Sequence, residues 1–439
     1  MRVYKKSLDA VQKHLFKAPT RYLETTTMRT RGYLGLLSSL YISTFFIRAS
    51  FGVMLATLPI YLGITTTYLG YGIVAAASPL FEMGTVLFIG TVVDRFGRKI
   101  ILLLGLLAAG LLLFALSLTT SLYAVFFINA GHGIAAGSIL VSSLALLTDY
   151  APQDRRGREM GAFDAFNLLG WIFGFALGAL FLEFFKGSLH MTFAVAGIMA
   201  MAAVIYSAIN ITETKKQDIL AKKIEFRNII AVLRQRSILL VTLPWFIVFM
   251  IIGAALTFLT VSTSQGVLTI PPIYLAGIIA GAGVFLILTQ VFYGKLSDKY
   301  GRLPIMLVGT AGFVGIMTVL GIGYLTANPS TENAIKTNII GYWPLLALFG
   351  FMALAFGPSA LSSLADEAKE SMRGVTMAVY SIVISAGMFI GIPAIAAISD
   401  RYGGFGVLLF MLASAVAMSL LMAARYFDVK RKRTGTTTP

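Results

Sequence analysis

Apolar runs long enough to cross a bilayer recur along almost the whole of this 439-residue chain, and they leave it few folds. A hydrocarbon core about 30 Å thick is crossed by roughly 20 apolar residues in a helix. We read about twelve spans, near 33–62, 67–93, 99–119, 121–150, 157–184, 189–210, 238–264, 272–296, 302–326, 340–366, 372–399 and 403–427. The connections are mostly too short to hold a soluble domain. Composition agrees: 57% of residues are hydrophobic and 12% charged, with a mean hydropathy of +0.84.

The spans fall into two halves that share an order of motifs. Gly90-x-x-x-Asp94-Arg95-x-Gly97-Arg98 recurs 204 positions on as Gly294-x-x-x-Asp298-Lys299-x-Gly301-Arg302. Asp149 with Arg156-Gly157-x-x-Met160, Gly170 and Gly174 recurs 217 positions on as Asp366 with Arg373-Gly374-x-x-Met377, Gly387 and Gly391. Of the 13 extra residues, 12 fit one polar insertion, 327–338. Internal duplication of this kind in a membrane protein marks transporters that rock one half against the other. The expected fold class is therefore an all-α membrane protein, with twelve transmembrane helices in two pseudo-symmetric six-helix bundles.

A net charge of +16 would suit nucleic acid, but its placement argues against that partner. With the N-terminus inside, 31 of the 35 Lys and Arg fall on the cytoplasmic side. Lys186, Lys336 and Arg401 face out, and Arg48 lies within a span. This is the positive-inside asymmetry, so the expected protein is multi-pass in the cell membrane with both termini cytoplasmic. Some attraction to anionic lipid headgroups follows. The absence of Cys removes disulfides, thiolate metal sites and cysteine nucleophiles together. Residues 1–32 form a basic cytoplasmic segment with no signal-peptide core. Residues 33–210 and 238–427 are the expected bundles, and 428–439 a basic tail. Between the bundles, 211–237 reads as a cytoplasmic linker, where Ile224, Phe226, Ile229, Ile230 and Leu233 interleave with basic residues as in an interfacial helix.

The loop motifs have a physical logic. Gly97 and Gly301 allow a tight reversal between spans. Arg98 and Arg302 can pair with headgroups or carboxylates. Asp94 and Asp298 sit at helix C-termini, where the dipole disfavours an anion, so each needs a partner. Two such copies at matching places in two six-span halves resemble the major facilitator superfamily over roughly residues 33–427. The resemblance implies alternating access, with the loop motif latching the cytoplasmic side when the transporter faces outward. Asp94 would then meet the start of the eleventh helix, near Arg373 or its amides; the plainer reading is that these residues only set turns and topology. Asp149 with Arg156, and Asp366 with Arg373, resemble the family's equivalent loops. Proton-driven drug antiporters that resemble this chain carry Arg-x-x-x-Gly in the fourth helix, where this sequence has Asn129-Ala-Gly-His132-Gly133. In the fifth helix Gly170-x-x-x-Gly174 keeps their glycines and loses their proline. Both glycines still permit close helix approach.

A charge near the bilayer centre costs at least about 2.5–3.5 kcal/mol on insertion scales, so each one needs a reason. Counting about 1.5 Å per residue from the span ends puts Arg48, Glu82 and His132 near mid-depth. Asp164 enters the fifth span from the cytoplasmic side, with Asn167 a turn further. The C-terminal half has no such buried charge. Arg48 and Glu82 either lock helices as a static pair or line a cavity, Arg48 holding an anionic substrate or Glu82 carrying a proton. His132 is either a titrating group or a hydrogen-bonded structural residue. Asp164 either caps against Arg156 or Arg158 or joins the pathway. Gln290, Tyr293, Tyr380 and Trp171 line a pathway or pack helix seams. Glu82 is the expected proton carrier.

The sequence has no nucleotide-binding loop, metal-ligand cluster or catalytic triad. We expect no enzyme activity, no cofactor, no metal and no ATP drive. The expected activity is secondary transport of a small organic solute, above all proton-coupled efflux of drug-like compounds. Proton-coupled uptake of an organic anion or sugar is the close alternative. A non-transporting sensor or scaffold on the same fold is the third reading, which long soluble appendages would favour. The expected partners are the small-molecule substrate, protons and membrane lipids, with no nucleic acid, and the expected state is a monomer.

Overall fold

The computed structural model describes residues 20–63, 68–119, 121–150, 156–214, 226–264, 272–325, 341–367 and 373–434. The polar insertion, the centre of the linker and most of the N-terminal segment lie outside them. The first half comprises α1 (Thr20–Gly63), α2 (Tyr68–Phe96), α3 (Arg98–Leu118), α4 (Leu122–Tyr150), α5 (Arg156–Phe184) and α6 (Leu189–Asn210). A short α7 (Phe226–Leu233) precedes α8 (Arg236–Ser264), α9 (Pro272–Tyr300), α10 (Arg302–Leu325), α11 (Trp343–Ala353), α12 (Phe356–Glu367) and α13 (Arg373–Thr434). Ten stretches among the described residues are long and apolar enough to cross a bilayer. The last of them, Val379–Lys432, holds two crossings that meet at Gly403, and the 29-residue α9 lies outside that set. With these, and with α11 and α12 making one crossing, the order is that of twelve spans.

Two differences from the sequence reading have local causes. The expected span 340–366 is broken between α11 and α12. Pro358 has no N–H to offer the Leu354 carbonyl four residues back. The chain tightens there instead, with Ala355 N donating three residues back to Met352 O at 3.0 Å. The last helix also runs past 427 to Thr434, carrying Asp428 and Lys432 into a salt-bridge network.

The two loop turns match. Gly97 and Gly301 have φ of 107° and 95°, a region that glycine adopts without steric penalty. Each glycine donates its N–H back one turn, to Val93 O and to Ser297 O, both at 3.0 Å.

Glycines also set the helix seams. A Cβ on Gly170 would lie 2.6 Å from Phe45 O, and one on Gly387 2.7 Å from Phe246 O. One on Gly174 would lie 2.7 Å from the Ala49 carbonyl carbon, and one on Gly391 2.8 Å from that of Met250. The α1–α5 and α8–α13 pairs are thus repeats of one close-packed crossing, the small-residue packing of membrane bundles. Gly133 and Gly137 bring α4 against the backbone of Glu82 on α2, where a Cβ would sit 2.9 Å from its N and 3.0 Å from its O. Each half has its own apolar core, around Leu106, Leu113 and Phe193 in the first and Trp245, Met306 and Phe356 in the second. The halves meet where α2 packs on the first part of α13, α5 on α9 and α1 on α8.

The second half also buries a charge that the sequence reading placed among ordinary cytoplasmic ones. Arg425 is 4% exposed at the loop end of α13. It donates to Glu367 Oε1 at 2.7 Å, Ser363 Oγ at 3.3 Å and Ser237 O at 3.2 Å. Burial pushes the Glu367 carboxyl up, but hydrogen bonds from Arg425 and Ser237 and the charges of Arg425 and Lys432 hold it below its ordinary 4.5. A carboxyl depressed on folding adds stability above its unfolded pKa and loses it as pH falls through the folded value. Glu367→Gln is therefore expected to destabilise the protein at neutral pH. That gap should narrow as the pH of a thermal-unfolding series is taken below 4.5.

Candidate functional site

Four helices of the first half meet around Arg48 and Phe51. Arg48, one turn before Phe51 on α1, is 6% exposed. Its Nη2 lies 4.0 Å from Glu82 Oε1 on α2, and the Glu82 side chain is 18% exposed. The guanidinium sits 5.6 Å from the centre of the Phe51 ring and 6.0 Å from that of Trp171 on α5, within range of cation–π attraction. His132 on α4 is 1% exposed, with its ring centre 4.1 Å from that of Phe51. One turn earlier, Asn129 Nδ2 donates to Val74 O at 2.6 Å and ties α4 to α2.

The placement follows from the seams. Gly170 and Gly174 let α5 approach α1 closely enough for Trp171 to reach Arg48, and Gly133 and Gly137 fix the height of Glu82 against His132. Among the described residues His132 Nε2 and Asn167 Oδ1 are buried without a hydrogen-bond partner. A buried polar atom left so costs about 1–3 kcal/mol, a price tolerated where a group has other work to do.

The second half has a ring cluster of its own. Trp245 stacks on Phe356 at 5.8 Å and on Tyr380 at 5.5 Å, and meets Phe249 edge-on at 5.2 Å. Val241, Thr242, Ala360 and Leu364 complete a small cleft beside Trp245 and Tyr380. Trp245 Nε1 is buried with no partner among the described residues. Tyr293 belongs to another cluster, with Ile305 and Ala355.

The loop motifs join residues from different turns. Arg98 pairs with Asp149, and Thr214 Oγ1 donates to the same carboxylate. In the second half Arg302 pairs with Asp366 at 2.9 Å and with Asp298 of its own motif. Arg95 is exposed and lies over Phe96, 5.5 Å from the ring centre. A Cβ on Gly90 or Gly294 would meet nothing within 4 Å among the described residues. The side chains of Asp94, Arg156, Asp164 and Arg373 lie outside the described ones.

Glu213, which no motif singles out, caps α3 from just beyond α6. Its carboxylate accepts from Arg98 N at 3.1 Å and Lys99 N at 3.0 Å. It thereby fills two of the unpaired donors of the helix start and complements the dipole. A glutamate 115 residues from its partner has no spacing signal in sequence.

A family model described as Major Facilitator Superfamily matches residues 37–392 and 268–439. Among characterised proteins, the chain is similar to the quinolone resistance protein NorA of Staphylococcus aureus (strain MRSA252), 28% identical over 180 residues. That alignment covers 40% of this chain and 45% of NorA, so it spans less than half of the relative. A multi-drug resistance efflux pump PmrA homolog of Lactococcus lactis is 25% identical over 284 residues, covering 61% of this chain and 68% of that one. The fold is that of the human organic anion transporter MFSD10 (TM-score 0.65, 16% identity, 89% of this chain and 99% of that one). It is also that of the nucleoside transporter NupG (TM-score 0.62, 15% identity, 90% and 99%).

Proposed function

Because the chain belongs to the major facilitator superfamily, we propose that it is a secondary active transporter that exports a small, drug-like organic solute in exchange for protons, by alternating access. The observation that carries this reading is the Arg48–Glu82 pair, 4.0 Å apart in the first half with side chains 7% and 18% exposed. Its support in sequence is the partial likeness to NorA and the PmrA homolog, both named for drug resistance. In the proposed cycle a proton arriving on Glu82 removes its charge and frees the guanidinium of Arg48. A solute then docks by its polar end at Arg48, with its apolar body between Trp171 and the Trp245 rings. Deprotonation restores the pair and displaces it. The proposed topology puts both termini and the 211–237 linker on the cytoplasmic face.

Proton-coupled uptake of an organic anion is the second reading. It is favoured by Arg48 itself, a guanidinium with ring faces on two sides, which suits a carboxylate or sulfonate on a flat molecule. Purified protein in liposomes decides between them, with a fluorescent quinolone and a fluorescent organic anion as probes under imposed pH gradients. Glu82→Gln is expected to abolish gradient-driven accumulation and to leave gradient-free exchange largely intact. Gradient-driven accumulation by Glu82→Gln equal to that of the parent would make Glu82 structural. Movement of the anion alone, in the direction of proton entry, would establish symport.

A further inference from the structure

A third copy of the loop tetrapeptide sits at the other end of the molecule. Asp400-Arg401-Tyr402-Gly403 repeats the Asp-basic-aromatic-Gly order of Asp94-Arg95-Phe96-Gly97 and Asp298-Lys299-Tyr300-Gly301. Its glycine also has a positive φ, 56°. The copies differ in what the aspartate meets. Asp298 pairs with Arg302 within its own half. Asp400 reaches across to the first half, where its Oδ2 accepts the N–H of Leu69 at 2.8 Å. Leu69 lies in the first turn of α2, whose N–H groups have no partner inside the helix and whose dipole favours an anion. Arg401 turns away onto Tyr402, 5.6 Å from the ring centre.

The contact closes a seam. A Cβ on Gly72 would lie 2.7 Å from Ala396 Cβ and 3.1 Å from Pro393 Cα. Residue numbers rise along α2 as they fall along α13, so the two segments run antiparallel. Gly90 is five turns beyond Gly72 and so on the same face of α2, about 27 Å along the axis. A Cβ there would meet nothing within 4 Å among the described residues. Among the described residues the seam is therefore tight at the Asp400 end and leaves room beside Gly90 at the Asp94 end.

We propose that Asp400 is the latch of the face opposite the Asp94 loop, holding the first turn of α2 and releasing it when that face opens. The role rests on the alternating-access reading above. Asp94 lies near the end of α2 and Asp400 near the end of the antiparallel segment of α13, so the two residues occupy equivalent backbone positions at opposite ends of one helix pair. A rocking motion that brings one to its helix start draws the other away. Asp400 is a positioning residue: it touches no solute and acts by setting which face is closed.

The chain has no native cysteine, and Ala396, at 0% exposure, lies in the seam. A single cysteine at Ala396 reports opening through its alkylation rate in purified protein without solute. Asp400→Ala is expected to raise that rate about tenfold, which equals about 1.4 kcal/mol and is within the range for a lost helix cap. Asp400→Asn, which keeps a capping oxygen and loses the charge, should fall between Asp400→Ala and the parent. Leu69→Pro removes the donor at a first-turn position where proline is tolerated. It should match Asp400→Ala, and the double variant should go no further. A rate for Asp400→Ala within about twofold of the parent, or single effects that simply multiply in the double variant, overturns the latch. Should Asp400→Ala not fold, Asp400→Asn and Leu69→Pro decide by the same criteria. Because no solute is present, a protein that shows these rates but moves no solute keeps the latch and loses the transport reading.

Discussion

Arg48→Met is expected to lower stability by about 3–5 kcal/mol, and adding Glu82→Met to the same chain to recover most of that loss. Arg48 is 6% exposed, and with it gone the anion of Glu82 remains in a low-dielectric site with its nearest cation removed. Replacing both charges leaves two apolar chains of similar length and no ion to desolvate. Recovery should be incomplete, because the double variant also lacks the guanidinium that lies over Phe51 and Trp171 at 5.6 and 6.0 Å. Glu82 retains 18% side-chain exposure, so protein does not enclose it fully and the cost belongs at the lower end of the range. Thermal unfolding of purified protein should place Arg48→Met well below both the parent and the double variant. A double variant as unstable as the single one would mean that the two charges are not coupled. A double variant that is stable but moves no probe would separate a working pair from a static one, the alternatives that the sequence left open.

Much of the fold was legible because the constraints on it are local. Length of apolar run, placement of Lys and Arg, and the 204- and 217-residue displacements are all read along the chain. The reversals at Gly97 and Gly301 and the close crossings at Gly170, Gly174, Gly387 and Gly391 follow from residue size alone. The break before Phe356 was harder to place. Pro358 marks a missing donor, but Pro79, Pro244 and Pro393 lie inside helices that continue. Which proline opens the ladder depends on how neighbouring helices fill the gap, and sequence does not carry that.

The site divides in the same way. Depth along a span picked out Arg48, Glu82 and His132, because a charge at mid-bilayer is costly wherever it points. Nothing local separated Arg425 from the other basic residues near helix ends, yet packing of α8, α12 and α13 buries it to 4% exposure. Glu213 and Asp400 are missed for a related reason. Each caps a helix that starts 115 or 331 residues away, and an acidic residue at a helix end looks alike in sequence whether its partner is water or a distant amide.

Gly174→Ala and Gly391→Ala are each expected to destabilise by about 1–3 kcal/mol, a large effect for one methyl group. The added carbon would overlap the backbone of the facing helix, at the carbonyl carbon of Ala49 (2.7 Å) in one half and of Met250 (2.8 Å) in the other. Backbone in a packed helix cannot rotate aside as the tip of a side chain can, so α5 must move off α1, or α13 off α8. Gly84 is the control: it lies inside α2, and a Cβ there would meet nothing within 4 Å among the described residues. Gly84→Ala should be neutral or gain up to about 1 kcal/mol, from the helix propensity of alanine and the lower entropy of its unfolded chain. Gly174→Ala carries a second consequence, since displacing α5 carries Trp171 away from Arg48, so transport of a quinolone probe should fall even at temperatures where the protein stays folded. Gly391→Ala leaves the Arg48 cluster in place. It acts instead on the helix that ends in Asp400, and should therefore change the closing of the α2–α13 seam more than the affinity for solute. If Gly174→Ala melts with Gly84→Ala, the α1–α5 crossing is looser than the packing described, and the position of Trp171 must be set elsewhere.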